Sequence, residues 1–236
     1  MIERRSLSSL GNAHFGWLDA KHHFSFGHYR DPNRMQWGPL RVWNDDTIAA
    51  GTGFDPHPHR DMEIITYVRQ GAITHQDFLG NEGRTEAGDV QVMSAGTGIV
   101  HAEYNREPGV TQIFQIWIIP NKAGVEPRWE ARKFPKGDKA GQLVVLAGGR
   151  PGDAEKGALM IHQDAAILGA TLPKGSIVTH ELGRRLAYLV PARGRVKVNG
   201  VEIDARDGAA IRDEAVLTIE ALDEAEILLA DLPAAA

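Results

Sequence analysis

The chain reads as all-β, built from two similar antiparallel units of sandwich or barrel type with few and short helices. Three observations predict this. From about Leu40 the apolar residues alternate or fall in short runs, as in "PLRVWNDDTIAAGTGF", "MEIITYVRQGAITHQDFLGNEGRTEAGDVQVM" and "VTQIFQIWIIPN", the period-two signature of strands with a buried face. Turn residues such as those in "QG", "LGNEG", "EAGD" and "SAGTG" punctuate these runs about every 8 to 12 positions, the spacing of all-β folds. The sequence also matches itself: "ITYVRQGAITHQDFLG" aligns with "LAYLVPARGRVKVNG", and "TEAGDVQVMSAG" with "IDARDGAAIRDE", which predicts two related β units.

Taken in order, the start "MIERRSLSSLGNAHFGWLD" lacks the apolar run of a secretory signal, and no stretch of 18 apolar residues occurs. With no cysteine among 236 residues, the expectation is a cytoplasmic protein without disulfides. His22, His23 and His28 in "KHHFSFGHY" are expected to pack and hydrogen-bond around Phe24 and Phe26 rather than hold a metal. Trp17, Trp37, Trp43 and Trp117 are expected in the core or at its rim, with one or two free to line a pocket for a flat molecule. Asn44, Asp45 and Asp46 read as a turn. Residues 119–142, rich in Pro, Gly and Lys, read as a connection. The expected organisation is therefore a metal-binding unit at 1–125, a connection at 126–142 and a second unit at 143–236.

Composition sets limits. Hydrophobic residues at 42% and charged residues at 24% describe an ordinary globular chain. A net charge of -5 and a pI near 6.1 argue against the basic surface that direct nucleic-acid binding needs. A protein partner is left open.

Chemistry concentrates in two short stretches. In "HPHRDME", His57 and His59 are two apart and project to one face of a strand, roughly 6–7 Å apart along it. Pro56 and Pro58 bracket them, which favours an edge strand. Further on, "GTGIVHAEYN" offers His101 and Glu103 at the same spacing. Two such pairs on neighbouring strands supply three imidazoles and a carboxylate to one ion and leave positions for water or substrate. Without cysteine the donors are nitrogen and oxygen, which suit Fe(II), Ni, Cu, Mn, Zn or Co. Glu63 shares the parity of His59 if the strand runs on regularly, so spacing leaves Glu63 and Glu103 as alternatives for the carboxylate. His75 follows a turn at Gly71, which leaves its face undetermined. Gln115, a lone amide between apolar neighbours, wants a polar partner, and the metal cavity is one candidate.

"GTGFDPHPHRDMEIITYVRQG" resembles the first cupin motif, with Gly51, His57, His59 and Glu63 in place and Gly71 one residue late. The second motif is looser: Gly88 and His101 fit, Ser94 stands where proline is usual, and two extra residues precede the histidine. This looser form ending in "HAE", together with "GWLDAKHHFSFGHYRDPNRMQWGPLRVWNDDTIAAGTGF", "HQDFLGN" and "QIWIIPN", resembles the pirin family and is similar to its bacterial quercetinase-like members. The resemblance implies a bicupin, two antiparallel jelly-roll β-barrel domains. It implies His57, His59, His101 and Glu103 as ligands of one Fe(II), and leaves Glu63 behind them, placed to orient a ligand imidazole through its distal N–H. In the second half His180 and Glu220 fall near the equivalents of the two ligand pairs, with no convergent second set, so one metal is expected.

The implied activity is a flavonol dioxygenase of quercetin 2,3-dioxygenase type. A small planar aromatic substrate would chelate the metal, dioxygen would be the co-substrate, and Glu103, or Glu63 behind it, would take the hydroxyl proton. A metal-bearing regulatory module that docks a protein is the alternative. A storage or isomerase bicupin, which needs a polar, sugar-sized cavity, ranks third.

Overall fold

The structure is a computed structural model, described here for residues 1–133 and 141–234. Its strands in chain order are β1 (Ile2–Arg5), β2 (Gly11–His14), β3 (Leu18–His22), β4 (Leu40–Ile48), β5 (Gly53–His59), β6 (Glu63–Gln70), β7 (Ala72–Asp77), β8 (Glu82–Glu86), β9 (Val90–Ser94), β10 (Ile99–Tyr104) and β11 (Thr111–Ile118). They continue with β12 (Arg128–Arg132), β13 (Val144–Gly148), β14 (Leu159–Met160), β15 (Ala166–Leu172), β16 (Ile177–Glu181), β17 (Leu186–Arg193), β18 (Val196–Val198), β19 (Val201–Ile203), β20 (Gly208–Ile211), β21 (Val216–Ala221) and β22 (Ala225–Leu232). Helix is confined, among the described residues, to single 3₁₀ turns at Leu7–Ser9 and Ala154–Lys156. The connection expected at 126–142 lies partly outside the described residues, at 134–140.

The strands form four sheets. In the N-terminal half a seven-stranded sheet, ordered β12-β9-β6-β11-β4-β3-β2, faces a four-stranded sheet, β5-β10-β7-β8. In the C-terminal half β1-β20-β17-β22-β15-β13-β14 faces β16-β21-β18-β19. The aligned repeat is therefore structural: β9-β6-β11-β4 matches β20-β17-β22-β15, and β5-β10-β7-β8 matches β16-β21-β18-β19. All-β architecture with two cupin-like domains is correct. The barrel is not, because each sheet ends in edge strands and none closes on itself. Closure needs tilted strands in one continuous ladder, whereas here each half is two layers. The wide sheets are also buried on both faces, packing against the partner sheet on one side and against the other half on the other.

That second face forms the largest apolar cluster. Trp43, Ile65, Tyr67, Phe114 and Ile116 from the first half meet Leu146, Tyr188, Val190, Leu228 and Leu232 from the second. Each large side chain so buried contributes on the order of 1.5–3 kcal/mol. Polar ties cross the same boundary. Tyr67 bonds Glu226, and Asp45 holds Arg69 and, at 2.5 Å, Arg206. The first strand also crosses, since β1 pairs with β20 in the C-terminal sheet, Ile2 opposite Ile211.

Asn44, Asp45 and Asp46 are not a turn but the middle of β4, all three buried. A strand tolerates such a run when both faces offer partners. Asn44 meets His22 Nδ1 at 2.8 Å on one face, and Asp45 takes its two arginines on the other.

Candidate metal centre

Edge strand β5 and its neighbour β10 build the site. Their antiparallel register sets His57 opposite His101 and His59 opposite Ile99. A bulge gives β5 an extra residue between His57 and Phe54, a common device for re-aiming side chains beside sites. On the edge, the missing N–H groups of Pro56 and Pro58 need cost no ladder bond.

His57, His59 and His101 bring one ring nitrogen each within 4.8 Å of one another. His57 Nδ1 donates to the Asp55 carbonyl at 2.7 Å, so its Nε2 keeps a lone pair. That lone pair faces His101 Nε2 at 3.1 Å. Two nitrogens about 2.1 Å from one ion and at right angles would sit roughly 3 Å apart, so the spacing fits a shared divalent cation. Burial, reinforced by the neighbouring imidazoles, pushes His101 down to about 2, and His59 is lowered likewise to about 4. Both rings are therefore neutral, as metal ligands must be. Trp117 stands edge-on to His59, ring centres 4.9 Å apart.

Glu103 is buried deeper. Its carboxylate groups within 4.8 Å with His101 and His75, so the two groupings share His101. Glu103 Oε1 accepts from Gln91 Nε2 at 2.6 Å and from Thr66 at 3.4 Å, and Oε2 accepts from Gln115 Nε2 at 2.8 Å. Burial raises its pKa to about 7 against the pull of these donors. The donor set of three imidazoles and one carboxylate suits a first-row divalent ion.

Glu63 goes elsewhere. Between His59 and Glu63 the chain turns through Asp61, whose φ is 45°, and passes from the four-stranded to the seven-stranded sheet. Strand parity does not survive that turn. Glu63 accepts from Ser94 Oγ at 2.7 Å and from His162 Nδ1 at 3.2 Å, so its partners lie in the wide sheet and in the other half of the chain. The role of holding a ligand imidazole thus has no contact behind it at Glu63.

His75 has that contact. Gly71, at φ 73°, carries the chain between sheets and sets His75 on β7 opposite Glu103. His75 Nδ1 lies 3.4 Å from His101 Nδ1, and its Nε2 lies 2.9 Å from Asp77 Oδ2. Trp129 stacks on the His75 ring at 4.7 Å and 6°. The cross-strand neighbour of His75 is Gly83, and a Cβ there would overlap that indole. Gln91 was also missed by the sequence reading, although the signal that singled out Gln115, a lone amide in an apolar strand, was present in "DVQVM".

Two cavities adjoin the cluster. One of about 500 Å³ has Phe15, Trp17, Phe26, Tyr29 and Phe54 in its wall, with Asn44, Asp46 and Gln115 among its polar lining residues. Phe54 lies 6.4 Å from His57 ring to ring, and Phe26 meets Trp117 edge-on at 5.5 Å. The other, of about 520 Å³, opens beside His59 between Arg60, Phe78 and Leu79. His22 and His28 border the aromatic cavity; His23 is buried against Tyr188 OH at 2.9 Å. In the C-terminal half, His180 bonds Asp231 at 2.9 Å and Glu220 meets Lys197 at 3.4 Å.

No helix among the described residues is long and apolar enough to cross a membrane. The family profile described as Pirin matches residues 3–118, and one described as the quercetinase C-terminal cupin domain matches 151–232. A pirin-like protein of Caulobacter vibrioides is 63% identical, with 98% of this chain and 99% of that protein aligned. A putative quercetin 2,3-dioxygenase of Pseudomonas aeruginosa is 61% identical over 98% of this chain and all of its own length. Among solved structures, the bacterial pirin YhhW from Escherichia coli in complex with nickel(II) superposes with a TM-score of 0.92 at 42% identity, all of both chains covered. Sequence and fold agree, and the chain belongs to the pirin family, as a bicupin closely related to the bacterial pirin-like quercetin 2,3-dioxygenases.

Proposed function

We propose that this protein is a metal-dependent dioxygenase acting on a flat hydroxylated aromatic of the flavonol type, with His57, His59, His101 and Glu103 holding one divalent ion. Iron(II) is the first choice, and nickel(II) is supported by the relative that binds it. The observation that carries the reading is the three-imidazole cluster next to an aromatic-walled cavity that also contains Gln115, the amide bonded to Glu103. When bound, the ion supplies Lewis acidity toward a hydroxyl and carbonyl pair and access to dioxygen chemistry. His59 and His101 stay neutral because burial disfavours their charged forms.

Glu103, whose carboxyl pKa burial raises in the metal-free protein, is the group placed to take a phenolic proton from the substrate. Gln91, Thr66 and Gln115 keep its two oxygens oriented while it does so. The rings of Phe26, Phe54 and Trp17 offer faces and edges to a planar substrate and exclude water around it. In the overall reaction both atoms of dioxygen enter the ring-opened product, and one ring carbon leaves with its own oxygen as carbon monoxide. Loading with Fe(II) or Ni(II) under anaerobic conditions, then adding quercetin and dioxygen, should yield carbon monoxide. No turnover with any first-row divalent metal would overturn the reading.

A second reading, a regulatory module whose metal state sets affinity for a protein, draws on one feature. Phe78 and Leu79 are 78% and 55% exposed at the opening beside His59, an apolar pair of the kind that marks binding surfaces. A storage or isomerase role draws no support from an aromatic-walled cavity.

A further inference from the structure

The metal reading leaves unexplained why a carboxylate and a second buried histidine stand in line behind His101. Asp77, His75 and His101 form a chain; the Glu103 carboxylate lies within 4.8 Å of both rings but takes its hydrogen bonds from Gln91, Thr66 and Gln115, and the side chains of His75 and Asp77 are both fully buried. Each link constrains the next. Asp77 Oδ1 accepts the backbone N–H groups of Leu79 at 2.9 Å and Asn81 at 3.1 Å. Its Oδ2 accepts from Asn81 Nδ2 at 2.9 Å and faces His75 Nε2 at 2.9 Å. A carboxylate that already accepts three such bonds acts only as an acceptor, so His75 must carry its proton on Nε2.

A neutral imidazole has one donor and one acceptor nitrogen. With its proton on Nε2, His75 presents a lone pair at Nδ1, and the nitrogen 3.4 Å away, His101 Nδ1, must donate to it. His101 then has a bare Nε2, aimed at His57 Nε2. The other tautomer would put a proton on His101 Nε2 and close the site, since that N–H would bond the His57 lone pair directly at 3.1 Å. The His75 ring cannot swing away, because Trp129 lies flat on it where Gly83 makes room.

We propose that Asp77 is a positioning residue that acts through His75 to dictate the tautomer of His101, keeping Nε2 of that ring free for the metal and suppressing a self-blocked His101–His57 hydrogen bond. The proposal rests on the metal reading above for its consequence but not for its geometry. Second-sphere partners of this kind typically alter metal affinity 10–100-fold, and the hydrogen bond at one ring nitrogen decides which nitrogen binds.

Long-range ¹⁵N–¹H correlation spectra of the metal-free wild-type protein should show His75 protonated on Nε2 and His101 on Nδ1. In Asp77→Asn the amide keeps its oxygen toward the loop N–H groups and turns its NH₂ toward His75. His75 should then move its proton to Nδ1 and His101 to Nε2, with Zn(II) bound 10–100-fold more weakly. His75→Phe keeps a ring on Trp129 but offers no acceptor. It should produce the same His101 shift, and it decides the matter if Asp77→Asn does not fold. A purely structural Asp77, needed only to hold its loop, would weaken Zn(II) without moving the His101 proton. That result, or His101 protonated on Nε2 in the wild type, overturns the proposal. Wild-type protein with the stated tautomers but no Zn(II) binding would support the chain and sink the metal reading instead.

Discussion

In the N-terminal half, the narrow sheet β5-β10-β7-β8 brings together His57, His59, His75, His101 and Glu103. In the C-terminal half, the matching sheet β16-β21-β18-β19 puts Val178, Val196, Val198, Leu217 and Ile219 into an apolar core. The strand orders correspond and the interiors do not. The fold therefore supplies two equivalent frames, and chemistry depends on which side chains face inward, the general rule that function resides in sites set on folds. Position alone does not make a ligand: His180, on the strand equivalent to β5, is engaged by Asp231, and Glu220 spends its charge on Lys197 at the surface.

The sharpest test of this contrast is metal content. His57→Ala or His101→Ala should lose essentially all bound metal and all dioxygenase activity, while His180→Ala should keep full stoichiometry by elemental analysis. Glu103→Ala is expected to fall with the first group and Glu63→Ala with the second. If Glu63→Ala lost the metal and Glu103→Ala kept it, the proposed ligand set would be wrong.

The next effect belongs to the C-terminal half, where Asp231 takes the structural part. It binds His180, Arg150 at 2.5 Å and Arg185 at 2.5 Å. Burial works to raise its pKa, but hydrogen bonds from His180 and Arg185 and the nearby guanidinium charges hold it below the ordinary carboxylate value. With a folded pKa below the unfolded value of about 3.9, its contribution is complete above that value and is lost as pH falls through the folded one. Asp231→Asn should cost about 3 kcal/mol at pH 7 by denaturant unfolding and flatten the acid limb of the stability profile.

Smaller still is Gly83→Ala. Its Cβ would press on Trp129, and overpacking of this kind costs about 2 kcal/mol. Near-ultraviolet circular dichroism should register the displaced indole. At the bottom of the scale, Glu220→Ala removes one partner of a half-exposed pair. It should change stability by less than about 0.5 kcal/mol and leave metal content untouched, although its strand is the equivalent of the one bearing Glu103.

Much of this was legible in the sequence. Period-two patterning and glycine turns predicted the strands, the self-match predicted the paired sheets, and the HxH and HxE spacings predicted which histidines would meet. What stayed hidden depended on partners remote in sequence. Asp45 reads as a turn residue until Arg206, 161 positions away, is seen to bind it. The face of Glu63 turned on one positive φ at Asp61, which no parity count can register. Closure into a barrel depends on strand pairing at sheet edges, and alternation of apolar residues says nothing about which edges meet. His75 could be placed only once the crossing at Gly71 was known.

The pairing of β1 with β20 bears on the history of such a chain. Once the first strand of the histidine-bearing unit completes the sheet of the other unit, that second unit can no longer be shed by deletion or fission. Losing it would strip β1 of its partner and open a wide apolar face. The unit without the histidine cluster is thereby tied to the other as scaffolding, its sequence constrained wherever it keeps the other half folded.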